Sequence, residues 1–70
     1  MKEDILIYLF KVQAASAGEI AQVTGHSPRV VQDMLIKMDD DGDVLMKHGI
    51  YRLSEVAKLR AVKRLDDRSI

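Results

Sequence analysis

Seventy residues with 47% apolar and 31% charged side chains make one small folded domain, too apolar for intrinsic disorder. The chain has no cysteine, which excludes a disulfide framework and a thiolate metal site as its staple. Eleven basic residues balance eleven acidic ones, so no net charge draws it to nucleic acid or to a membrane surface. The longest apolar run, Ile5–Phe10, falls short of the roughly 20 residues a membrane helix needs. With no secretory signal pattern at its start, the expected setting is the cytoplasm.

Ile5, Leu6, Leu9 and Phe10 recur at helical spacing behind Glu3 and Asp4, with Val12 close behind. Carboxylates suit the positive end of a helix dipole, so a first helix is predicted over about 3–13. Ala14-Ala15-Ser16 leaves room for a few extended residues. Ser16 and Glu19 then have the spacing of a capping box, opening a second short helix that buries Ile20, Ala21 and Val23 and stops at Thr24-Gly25. Ser27 is an N-cap and Pro28 a first helical residue, where the missing amide costs nothing. The third helix runs to about Asp39, with Val31, Leu35 and Met38 on one stripe and Met34 at its margin. Gly42 supplies the stop.

The period then changes from helical to alternating. With His48-Gly49 as a two-residue turn, Val44 pairs with Leu53, Leu45 with Arg52, Met46 with Tyr51 and Lys47 with Ile50. That register puts Val44, Met46, Tyr51 and Leu53 on one face. Ser54 caps a final helix from Glu55 to about Asp67, with Val56, Leu59, Val62 and Leu65 as its apolar strip. The strip is expected to pack on the domain or to dimerise. The division of the chain is thus 1–54 for the domain and 55–70 for the C-terminal helix.

Helix, short extended piece, helix, tight turn, helix and hairpin is the order of a winged helix-turn-helix domain, and Ile5–Ser54 resembles that superfamily. The segment GEIAQVTGHSPRVVQDMLIKMDDDGDV looks like the helix-turn-helix of small bacterial regulators. Ala21 matches the small residue where the two helices touch, Gly25 the turn, Val31 and Leu35 the buried side of the recognition helix, and Gly42 the entry to the wing. Tyr51–Ser54 resembles the wing's return strand. The size is similar to the regulators of fimbrial operons and of the ferrous-iron-transport operon. The latter carry a cysteine cluster in the wing that this chain lacks, so no iron-sulfur role carries over. Two further departures are His26, at a turn position that is usually aliphatic, and a wing cut to two residues. The fold implied is mainly α with a small β-hairpin: a three-helix core, a short wing and a C-terminal helix.

The resemblance implies a transcription regulator that binds double-stranded DNA with its third helix in the major groove. The side opposite Val31 and Leu35 carries Arg29, Asp33 and Ile36, flanked by Val30, Gln32 and Lys37. Arginine, glutamine and aspartate read guanine, adenine and a cytosine amino group respectively. Lys37, Lys47 and Arg52 are the expected phosphate contacts, with His48 at the wing tip. So few contacts imply modest affinity for a monomer and hence a dimer or a partner protein. Two aliphatic residues on an outward face suit the alternative, a protein-interaction module acting as adaptor or inhibitor.

Other chemistry fits less well. Asp39-Asp40-Asp41-Gly42-Asp43 is no calcium loop, because alignment on Gly42 puts Lys37 and His48 where the loop needs acids. It reads as a solvated helix end, or as an acidic patch for a basic partner. His26 and His48 are too few for zinc, so they read as turn residues, His26 as a helix-helix turn contact. No catalytic constellation or phosphate loop is present, so neither an enzyme nor a cofactor is expected. The methionines Met34, Met38 and Met46 read as core fillers. By segment the charge is uneven: residues 17–42 hold five acidic and two basic side chains, while the excess of positive charge lies in 43–70. The nominal reading unit is therefore the acidic part.

Overall fold

In the computed structural model the chain is described over residues 2–68, with side chains through residue 63. Four helices and a three-stranded antiparallel sheet follow in the order α1 (Lys2–Val12), β1 (Ala15–Ser16), α2 (Ala17–Thr24), α3 (Pro28–Asp40), β2 (Val44–Lys47), β3 (Ile50–Leu53) and α4 (Glu55–Arg68). No helix among the described residues is long and apolar enough to cross a membrane.

Local chemistry sets the ends of these elements. Ser16 Oγ accepts the Glu19 amide at 3.2 Å, and Ser27 Oγ accepts the Val30 amide at 3.3 Å ahead of Pro28. Each satisfies one of the amides a helix start leaves open. The Glu19 carboxylate is engaged elsewhere, accepting the Tyr8 hydroxyl at 3.0 Å and so tying α2 to α1. α3 ends in a Schellman arrangement: Gly42, at φ 80°, donates to the Asp39 carbonyl at 3.0 Å, and Asp43 donates to the Met38 carbonyl at 2.8 Å. α1 ends differently, on Gln13 in the left-handed region at φ 75°. Its amide donates to the Leu9 carbonyl, and its side chain donates to the Phe10 carbonyl.

The hairpin has the expected register at all four pairs, Val44↔Leu53 through Lys47↔Ile50. His48 and Gly49 both take positive φ, 53° and 77°, which the mirror-image two-residue turn requires. β1 joins the other edge of β3 through Ala15↔Tyr51 and Ser16↔Ile50, giving the strand order β1-β3-β2. The extended piece after α1 is thus a third strand of the sheet.

Ile5, Leu9, Ile20, Val31, Leu35, Met38 and Val44 are fully buried, and Ala15, Ala21, Tyr51, Leu53 and Ala57 close the core around them. Two sequence expectations fail. Val23, expected in the core, is 58% exposed. Ile20 and Ala21 define the buried arc of α2, and at about 100° per residue Val23 lies beyond its edge. Met46, expected beside Tyr51 in the core, is 53% exposed. It lies on the outer strand of the sheet, with no further strand beside it.

α4 bears on one of the two roles expected of its strip, packing on the domain. Its strip does not brace the domain: Val56, Leu59 and Val62 are 56%, 69% and 46% exposed. The helix lies on the body through Ala57 instead, in contact with α1 and β3. The rotation is fixed where the helix starts. The Ser54 amide donates to the Asp43 carbonyl at 2.9 Å, and Ser54 Oγ accepts the Ala57 amide at 3.2 Å. That turns Ala57 inward, and Leu59 then lies about 200° around the helix from it. Leu65 lies outside the residues whose side chains are described.

Candidate nucleic-acid interface

α3 separates two kinds of side chain. Val31, Leu35 and Met38 are in the core with Met34 half-buried at the margin, while Arg29, Val30, Gln32, Asp33, Ile36 and Lys37 are all exposed. Pro28 and the Ser27 cap fix the start of the helix, and core packing fixes its rotation, so the outward row is held on a rigid support. Arg29, Asp33 and Ile36 recur along one line of this row, with Gln32 and Lys37 beside it. The helix carries two cations and one anion on this side. Exposed Asp39, Asp40 and Asp41 lie at its carbonyl end, where the helix dipole already places negative charge.

The hairpin contributes a second surface. Strand alternation puts Leu45, Lys47, Ile50 and Arg52 on the sheet face opposite Val44, Tyr51 and Leu53. All four are exposed, as is His48 at the turn. Lys47 and Arg52 are therefore brought together on one face, with two aliphatic side chains between them. β2 packs against α3, so both candidate surfaces belong to adjoining elements. His26, in the turn between α2 and α3, places Nε2 3.5 Å from the Asp4 carboxylate, a contact from the turn back to α1.

Asp43 is the functional-looking residue that sequence reasoning misses, because it hides at the end of an acidic run. It is the buried member of that run: its side chain, 8% exposed, meets Lys2 Nζ at 2.8 Å and Arg60 Nη1 at 3.6 Å. The pairing joins α1 and α4 to the start of β2, and its role is structural. Position is the only signal that sets it apart, directly after the helix-ending glycine and before the alternating strand. Also outside the sequence reading is an open cleft of about 280 Å³ between α1 and α2, lined by Asp4, Ile7, Tyr8, Lys11, Val23 and Thr24. Beside it the Tyr8 hydroxyl is held above its ordinary pKa, by desolvation first and then by its bond to the Glu19 carboxylate. No cluster of three or more histidine, aspartate or glutamate residues that could hold a metal occurs among the described residues.

No protein-family model matches the chain, and no curated protein matches it. The functional reading rests on the geometry of α3 and the hairpin.

Proposed function

We propose that the chain is a winged helix-turn-helix domain that binds double-stranded DNA as a small cytoplasmic transcription regulator. In this reading α3 enters the major groove and the β2–β3 hairpin is the wing. Arg29, Gln32 and Asp33 face base edges. Lys37, Lys47, His48 and Arg52 lie against the backbone. No enzymatic step and no cofactor belong to it. The observation that carries the reading is the division of α3: a row of hydrogen-bonding side chains stands fully outward on a helix whose other side is locked in the core.

The charge limits the affinity. About three or four phosphate contacts give a salt slope near −3 for one copy, which is weak binding at physiological salt. Two copies double the slope, so the reading includes a dimer or a partner protein. Fluorescence anisotropy with a mixed-sequence duplex tests it. Retention at low salt should fall with added salt, and the charge reversals Lys37→Glu and Arg52→Glu should each reduce both retention and the slope. A wild-type chain that is not retained at low salt sinks the proposal.

A second reading has its own observation. Val30 and Ile36 are exposed on the same row as Asp33, and aliphatic side chains around a carboxylate suit a protein surface better than a phosphate backbone. A pull-down from native cell extract with and without nuclease separates the two: partners lost on nuclease treatment support DNA, and partners retained support an adaptor.

A further inference from the structure

β2 is an outer strand: the order β1-β3-β2 leaves one of its edges without a neighbouring strand among the described residues. The hairpin fixes which backbone groups point there. Across a two-residue turn the flanking residues, here Lys47 and Ile50, exchange both backbone hydrogen bonds, and the pattern alternates from there. Leu45 and Lys47 therefore turn their amides and carbonyls to β3, while the amide and carbonyl of Met46 point to the open edge. The Met46 side chain shares a sheet face with Val44 but is 53% exposed, for the same reason. An unpaired edge is a template for a further strand. One added here would take up the Met46 backbone groups and cover its side chain.

The charges say what kind of strand fits. On the outer face of the sheet Lys47 and Arg52 stand exposed beside Leu45 and Ile50. Neither cation forms an ion pair among the described residues. No residue of β2 or β3 is acidic, and the acidic run Asp39–Asp41 lies before the other end of β2, away from Lys47. A carboxylate is thus favoured at the turn end of the edge and disfavoured at its start. A second copy of β2 does not meet that demand. Paired antiparallel about Met46, it sets Lys47 against Leu45 and leaves the cation unmatched.

We propose that the open edge of β2 takes an extended segment of a partner protein as an antiparallel fourth strand. An acidic side chain of that segment lies opposite Lys47, and aliphatic ones lie opposite Met46 and Leu45. The antiparallel sense lets one residue of the segment exchange both backbone bonds with Met46. β2 has only four residues, so the association is weak and reversible. The inference goes beyond the DNA reading and does not rest on it. A segment so placed would compete with a DNA backbone for Lys47.

The test uses the full chain, isotope-labelled for nuclear magnetic resonance, and a blocked peptide with glutamate, valine and valine in succession between threonines. Run antiparallel, that order sets the glutamate against Lys47 and the valines against Met46 and Leu45. Titration to millimolar peptide should shift the amide signals from Val44 to His48 and slow hydrogen exchange of the Met46 amide at least about tenfold. N-methylation of the first valine removes the donor to the Met46 carbonyl and should abolish binding. Lys47→Glu should weaken binding about two- to fivefold, and lysine in place of the peptide's glutamate should restore it. Unchanged Met46 exchange at millimolar peptide overturns the proposal. So does equal binding of the N-methylated peptide, which would reduce the contact to charge alone. Two further outcomes also overturn it. Met46 protection that rises with the concentration of the free chain would assign the edge to a second copy. Shifts at Lys47 with a DNA duplex and none with the peptide would assign it to DNA.

Discussion

α3 and α4 are nearly the same length, carry apolar residues at helical intervals, and begin on a serine cap. They use those residues in opposite ways. α3 turns Val31, Leu35 and Met38 into the core and keeps its polar row outside. Among its described side chains α4 turns Ala57 into the core and leaves Val56, Leu59 and Val62 in solvent. Periodicity marks a face that gains by being covered; it does not say what covers it. In α3 the connections on both sides force the stripe onto α2 and the sheet. In α4 the hydrogen bonds around Ser54 go with a first turn that carries Ala57 inward, and the strip faces away from the body.

The largest expected effect breaks the symmetry between the two helices directly. Leu35→Ala empties a fully buried position and should cost about 2–5 kcal/mol in chemical denaturation. The same change at Leu59 in the dilute monomer should stay within about 0.5 kcal/mol, because solvent already surrounds it. Equal losses would mean that Leu59 is packed.

A smaller effect probes how α4 is attached. Asp43→Ala removes the acceptor shared by Lys2 and Arg60 and should cost about 1–3 kcal/mol, held down by the exposure of both cations. Hydrogen exchange should show faster exchange in α4 than in α3. Uniform acceleration would mean that the pairing does not act locally. The smallest effect concerns the helix ends. Replacing exposed Asp40, at the carbonyl end of α3, with lysine should stabilise the fold by about 0.3–1 kcal/mol, read as a small rise in Tm. The unchanged charge pattern of α4 serves as its reference.

Much of this architecture is legible in the chain because short-range chemistry specifies it. Three serine caps, a proline at a first helical position and the positive-φ turn at His48-Gly49 place the helices and set the hairpin register without tertiary information. The exposed row on α3 is legible for the same reason, since Val31, Leu35 and Met38 leave one rotation only. What escapes is relational. Nothing local says that Met46 stands on an outer strand, that Val23 lies beyond the edge of the α2 contact, or that Ala15 and Ser16 pair with the far side of β3. Asp43 escapes because its partners come from opposite ends of the described chain. The role of the outward row escapes for another reason: exposure and donor chemistry suit a base edge and a peptide alike, and only binding separates them.

Asp43 also bears on the rates of folding and unfolding. It holds Lys2 and Arg60, which lie far from it along the chain in opposite directions, so both contacts wait until α1, the sheet and α4 have docked. Contacts made that late are largely absent from the folding barrier. In stopped-flow measurements Asp43→Ala should leave the refolding arm of the chevron almost unchanged and raise the unfolding rate along the whole unfolding arm. The carboxylate then acts as a latch on the finished molecule, setting how long it stays folded rather than how fast it gets there.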